Sequence, residues 1–158
     1  NGTDNRWVSE GGGFEMSALP SGYHLSNSNA DMQADVIHAY LTTSYWASGI
    51  SLDIVRKSIL GSICVGIFHD DNQVAFARLI TDQATFAYLA DVFVLENHRG
   101  QGLSKVLLTH LHSLPELQDI RRWALFTQDA QSLYAQFDWQ EYQYPERFMV
   151  RDFPGVYT

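Results

Sequence analysis

The chain has one cysteine among its 158 residues, Cys64. An internal disulfide is therefore excluded, and a reducing, cytoplasmic setting is the expectation. Cys64 lies in the apolar run Ile63-Cys64-Val65, which predicts a buried core thiol rather than a nucleophile. No apolar stretch approaches the roughly 20 residues of a membrane span, and the first residues lack a basic-then-apolar leader pattern. Positive charge is scarce: Lys and Arg number 10 against 18 Asp and Glu, a formal net charge of −8. That balance disfavours nucleic acid and anionic membranes as partners. It also makes any anionic ligand depend on local positive groups, and it mildly favours a cationic acceptor such as an amine. Six histidines are present without ligand-type spacing. His110 and His112 are two apart on a predicted helix and so face different directions, and no metal site is expected.

What is present is apolar: 46% hydrophobic and 13% aromatic residues, enough for a proper core in a single domain. Residues 1–20 are polar and carry Gly11-Gly12-Gly13, which reads as an N-terminal arm, with one domain over 21–158. Strands are expected at Tyr23 to Leu25, Ser62 to His69, Gln73 to Thr81, Phe86 to Leu95 and Arg121 to Thr127. One or two closing strands are expected within Gln140 to Arg151. Helices are expected at Asp31 to Thr42, after the capping Ser51 to Gly61, at Leu103 to Ser113 ahead of Pro115, and at Asp129 to Phe137. Asp70-Asp71-Asn72 reads as turn chemistry between two strands.

The stretch from Asp91 to Ser104, DVFVLENHRGQGLS, carries the most chemistry. An apolar strand runs into an Arg-Gly-x-Gly turn, and Leu103, Val106, Leu107, Leu111 and Leu114 then recur at helical spacing. Glycines at 100 and 102 allow close approach of a ligand to the backbone. The first-turn N–H groups of the helix lack internal partners and, with the helix dipole, suit a phosphate or pyrophosphate. Arg99 adds a donor fork, and Lys105 a further charge. A dinucleotide fingerprint is excluded because Lys105 stands where its third glycine belongs. A P-loop is excluded because Gly102 is followed by Leu103.

The turn resembles motif A of the GNAT superfamily of acyl-CoA-dependent N-acetyltransferases. Its R-x-x-G-x-[GA] signature lies over Arg99-Gly100-Gln101-Gly102-Leu103-Ser104, with Ser104 replacing the usual Gly or Ala. A second stretch, Asp129-Ala130-Gln131-Ser132-Leu133-Tyr134-Ala135-Gln136-Phe137-Asp138-Trp139, resembles the family's Ala-x-x-Leu-Tyr-x-x-x-Gly-Phe helix. Asp138 stands at the glycine position, which a left-handed cap tolerates. The element order also matches from about Tyr23 onward.

The resemblance implies an α/β (α+β) fold: a mixed, mostly antiparallel sheet flanked by helices, with Phe86–Leu95 and Arg121–Thr127 splayed to form an acyl-CoA cleft. It implies acetyl-CoA as acyl donor, no metal, and a small-molecule or peptide amine as acceptor. Tyr134 would be the general acid for the leaving thiolate. A backbone N–H of Phe93 or Val94, exposed by a bulge, would meet the thioester carbonyl, and Leu95 would pair with the pantetheine amides. Asp91 is a candidate base or amine anchor, with Tyr88 an alternative on the same strand. Tyr45 and Trp46 fall in the acceptor loop. C-terminal strands of this fold often pair between subunits, which leaves a homodimer open. A non-catalytic acyl-CoA-binding module of the same fold is the alternative to an enzyme.

Overall fold

A computed structural model describes residues 19–157. The N-terminal arm read over residues 1–20 lies almost wholly outside them. Five strands form one sheet in the order β1 to β5: β1 Tyr23–Ser26, β2 Ile63–His69, β3 Asn72–Thr81, β4 Phe86–Val94 and β5 Arg122–Ala124. Pairing is antiparallel from β1 through β4, and β5 joins β4 in parallel. Helices α1 Ala34–Leu41 and α2 Leu52–Leu60 precede β2, α3 Leu103–Ser113 links β4 to β5, and α4 Gln131–Ala135 follows.

The sheet has a core on each face. Val65, Ile67, Ala77 and Leu79 bury against Leu103, Leu107 and Leu111 of α3. Ile37 and Leu41 of α1 and Val55 and Ile59 of α2 meet Cys64, Phe76 and Phe93 on the other side. Each such buried aliphatic side chain contributes about 1.5–3 kcal/mol. The Ser51 side chain accepts from the Ile54 N–H and starts α2 as its sequence predicts. Asp70 and Asp71 both take positive φ, 53° and 59°, and turn β2 into β3.

Strand β4 changes face partway along. Ala90 pairs with Arg78 and Phe93 with Phe76, so Asp91 and Val92 together oppose Ala77. This bulge, with Asp91 at φ 56°, shifts the side-chain alternation by one residue. Ala87 and Leu89 therefore bury on the α3 side, whereas Phe93 buries on the α1–α2 side. Pairing of β4 with β5 ends at Tyr88↔Ala124. Beyond Tyr88 the outer edge of β4 faces no strand among the described residues, and that gap is the splay.

Four expectations need correction. The helix expected over Asp31 to Thr42 starts late, because the Gln33 N–H bonds Gln73 Oε1 at 2.7 Å and the Gln33 side chain bonds Asp71 O. Those bonds hold the chain extended there. Strand β5 stops at Ala124 as it leaves β4, and α4 covers only the middle of Asp129 to Phe137. No closing strand forms within Gln140 to Arg151. Pro145 there lacks a ladder donor and opens a 3-10 turn, Pro145–Arg147, with Arg147 over the Tyr144 ring. The side chains of this segment are exposed, Met149 to 90%, so forming a ladder there would bury little.

Helix α4 is anchored to α3 through a histidine. Trp139 Nε1 donates to His112 Nε2 at 3.0 Å, so that nitrogen carries no proton. Burial pushes the His112 pKa down from the ordinary 6.5. The unfolded chain thus binds the proton more readily, and stability is full above about 6.5 and is lost as pH falls below it. His110, buried nearby on α3, shifts the same way. Gln at position 112 keeps an acceptor for Trp139 but does not titrate. Denaturant melts between about pH 7 and pH 5 should therefore show a shallower loss of stability in His112→Gln than in the parent. Equal slopes would mean that His112 is not the group that titrates.

Candidate active site

The glycine turn has the geometry that its sequence predicts. Gly100 and Gly102 take φ of 79° and 78°, and beyond its chain neighbours a Cβ at either would meet no atom of the described residues within 4 Å. The turn is thus an open cradle that only glycine leaves empty. Gly102 is the N-cap of α3, with no side-chain cap and no acid in the first turn. The first N–H bonded back into the helix is that of Val106, to Gly102 O. The amides of Leu103, Ser104 and Lys105 are left for a ligand. Arg99 lies across the turn: its Nε donates to Val94 O at 2.9 Å and its Nη2 to the Tyr40 hydroxyl. Two of its five donors are so used, which fixes the fork. Gln101 bonds Tyr23, whose hydroxyl also meets His98 Nδ1 at 2.7 Å.

A cavity of about 270 Å³ runs from this cradle along the free edge of β4, past Phe93 and Val94, to Leu133 and Tyr134. The Leu95 N–H is given to Val74 O and the Leu95 carbonyl accepts from His98. Backbone groups of an antiparallel strand alternate in direction, so Phe93 also turns its N–H toward β3 and Val94 turns its N–H into the splay. Of the three positions named for backbone contacts, Val94 is the one whose N–H is aimed at the gap. Phe93 contributes its ring, stacked on Tyr40 at 4.1 Å.

A second cavity, of about 570 Å³, opens on the other side. Tyr45, Trp46, Asp91, Arg78, Tyr88 and Phe126 are among its walls. Val92, Ala130 and Tyr134 border both cavities, so the two meet at Tyr134. That residue is 9% exposed, and among the described residues its hydroxyl makes no hydrogen bond. Burial, then the nearby Tyr45 and Asp129, push its pKa up to about 12. The hydroxyl therefore keeps its proton at neutral pH. Asp138 closes the turn after α4 at φ 66°, and the Phe137 and Trp139 N–H groups both bond Tyr134 O.

Both oxygens of Asp91 are occupied. Trp46 Nε1 donates to Oδ1 at 2.9 Å and Arg78 Nε to Oδ2 at 2.9 Å, in a pair with side chains 8% and 15% exposed. Arg78 also bonds the Ser62 hydroxyl. Tyr45 accepts from the Gln128 N–H, joining the α1–α2 loop to the chain after β5. Cys64 is buried beneath, its thiol pushed up to about 11 by that burial. Among the described residues no group of three His, Cys, Asp or Glu side chains is placed to hold a metal, and no helix is long and apolar enough to cross a membrane.

Sequence reading missed Arg78, Val92, Phe126, Asp129 and Tyr157, all on the larger cavity. Asp129 opens the Ala-x-x-Leu-Tyr segment and could have been found from it. Tyr157 comes in from the far end of the chain, its carbonyl within 2.7 Å of where a Gly49 Cβ would lie, and carries no local signal.

Comparison with known proteins bears on the family and the fold. A family model described as an acetyltransferase (GNAT) domain matches residues 61–141. A Gibberella zeae protein named as a putative acetyltransferase is 30% identical over 133 residues, 71% of this chain and 75% of that protein. A crystal structure of a Xanthomonas campestris protein described as a putative acetyltransferase of the GNAT family is 44% identical, with a TM-score of 0.85 over 89% of this chain and 99% of that one. A GCN5-related N-acetyltransferase from Ralstonia eutropha shares the fold alone, at 13% identity and a TM-score of 0.64 over 85% of this chain and 100% of that one. The chain belongs to the GNAT family of acetyltransferases.

Proposed function

We propose that this chain is an N-acetyltransferase that moves an acetyl group from acetyl-CoA to a primary amine by direct attack. The observation that carries this reading is Tyr134, whose hydroxyl makes no hydrogen bond among the described residues, on the wall shared by the cradle cavity and the aromatic cavity. The amides from Gly100 to Lys105 hold the pyrophosphate of the donor, with Arg99, Gln101, Leu103 and Ser104 shaping the turn. The donor supplies an acetyl group as a thioester. The Val94 N–H donates to its carbonyl oxygen as charge gathers there. Tyr134 donates to the departing sulfur as the C–S bond breaks, while the C–N bond forms and the amine proton leaves to water or a carboxylate.

Asp91 serves the acceptor side. With Arg78 on one oxygen and Trp46 on the other, it holds the Trp46 wall in place. Asp91→Asn leaves a half-buried Arg78 without its counter-charge, which costs at most about 3–5 kcal/mol, the range for a fully buried pair. The expected result is a lower Tm and a raised acceptor KM, with turnover at saturation within a few-fold of the parent. A rate loss concentrated at low pH, with KM unchanged, would instead mark Asp91 as the base.

The test of the whole reading is an acceptor panel with acetyl-CoA, following free thiol release. Cys64 is buried and should give no background in the folded protein. Thiol release that depends on an amine, with the acetylated amine found by mass, supports the reading. Binding of CoA without transfer to any amine would favour the non-catalytic acyl-CoA module.

A further inference from the structure

The larger cavity has a chemical character that narrows what it takes. Among the described residues Arg78 is its one cationic wall residue, and it is ion-paired with Asp91 and bonded to Ser62. The Arg78–Asp91 pair is neutral as a unit. Asp129 is exposed at the cavity and forms no ion pair among the described residues, and its charge is felt at Tyr134. Among the described residues the walls thus present one unmatched negative charge and no free cation.

Aromatic surface supplies the rest. Tyr45 is 57% exposed, Trp46 40% and Phe126 63%, and each is held where it stands. Trp46 is tied to Asp91, Tyr45 to the Gln128 N–H, and Phe126 packs edge-on between Tyr88 and Phe148 at 6.0 and 5.5 Å. Pinned, uncovered rings around a concave site suit a flat apolar ligand and, through their faces, a cation. A volume of about 570 Å³ is in the range of small-molecule sites.

From these observations the geometry points to an acceptor of one class: a primary amine with a single positive charge on a ring-bearing apolar body, its ring against Trp46 and Phe126 and its ammonium held by Asp129. The inference rests on the N-acetyltransferase reading above and sharpens it. A free amino acid brings a carboxylate for which the described walls offer no unpaired cation. A polyamine brings several ammonium groups to one unmatched carboxylate. A short unbranched amine satisfies Asp129 and leaves the rings bare.

Four amines separate these cases: 2-phenylethylamine, butylamine, spermidine and phenylalanine. With acetyl-CoA, kcat/KM for 2-phenylethylamine should exceed that of each of the others by roughly tenfold or more, the scale of one buried ring with a cation beside it. Phe126→Ala removes a largely exposed ring and should leave the fold intact. It should bring the ratio of 2-phenylethylamine to butylamine down to within about threefold. Asp129→Asn should raise KM for both single-charge amines by about tenfold. Preference for butylamine, spermidine or phenylalanine, or a ratio to butylamine that Phe126→Ala leaves unchanged, would overturn the assignment.

A binding arm keeps this test apart from that of the acetyltransferase reading. Quenching of Trp fluorescence by each amine is measured with CoA present, and Trp46→Phe identifies the signal of that residue. If no amine is acetylated but 2-phenylethylamine binds at least tenfold more tightly than butylamine through Trp46, the ligand class stands and the catalytic reading falls. If amines are acetylated without preference for the ring, the catalytic reading stands and the ligand class falls.

Discussion

Replacing Tyr134 by Phe is expected to slow acetyl transfer by about 10²–10⁴-fold, the range for loss of a positioned proton donor, while leaving stability nearly unchanged. The two halves of that result have separate causes. The ring fills the core beside Trp139, and Phe fills the same volume. The hydroxyl makes no hydrogen bond among the described residues, so its removal strands no buried partner and incurs no desolvation penalty of the usual kind. What is lost is the donor at the junction of the two cavities.

The raised pKa, about 12, adds a second expectation. A hydroxyl so reluctant to ionise is a weak acid for a thiolate, and it stabilises the departing sulfur chiefly through a strong hydrogen bond. The lower part of the range is therefore favoured. Activity should also show no alkaline fall attributable to this tyrosine up to about pH 10, since the donor form persists there. Stopped-flow turnover with chemistry rate-limiting, measured across pH for parent and Tyr134→Phe, checks both points. A variant as fast as the parent would return Tyr134 to a packing role.

How much of this was legible in the residues follows from the range of the interactions involved. The Arg99 to Ser104 turn and α3 could be read because a glycine pair and a 3.6-residue period are local features. Leu103–Ser113 came out with the bounds that its spacing predicts. Asp138 was legible for the same reason: a short polar residue at a left-handed position is a local compromise, and its φ of 66° bears that out. The splay was legible only through the family resemblance. Its physical cause is that β4–β5 pairing lasts three residue pairs, which no pattern within either strand announces.

What could not be read was decided by distant partners. Asp91 was read as a candidate base or amine anchor on its strand, yet Arg78, thirteen residues earlier, and Trp46, forty-five earlier, take both its oxygens. The bulge that places Asp91 there also reverses the phase of β4, so alternation alone would have put Phe93 on the wrong face. One or two closing strands were expected within Gln140 to Arg151, but its side chains are exposed and nothing among the described residues covers them.

The second large effect concerns Gly102. Gly102→Val should weaken CoA binding by about 100-fold, for two reasons that a companion variant separates. A Val at φ 78° is strained by roughly 1–2 kcal/mol or more, since its branched Cβ crowds the following carbonyl. That strain falls on the N-cap of α3 and should lower Tm. The described residues leave room for the side chain, because beyond its chain neighbours a Cβ there meets none of their atoms within 4 Å. The space it would enter is the cradle, so a bound pyrophosphate would lose close approach to the Leu103–Lys105 amides. Asn accepts positive φ far more readily than Val but still projects into that space. If obstruction is the main cause, Gly102→Asn should lose most of the CoA affinity with only a small drop in Tm. If strain is the main cause, Gly102→Asn should bind almost as the parent does. Calorimetric titration of CoA into the three proteins, alongside their melting curves, distinguishes these outcomes. Unchanged affinity in a folded Gly102→Val protein would move the pyrophosphate away from this turn altogether.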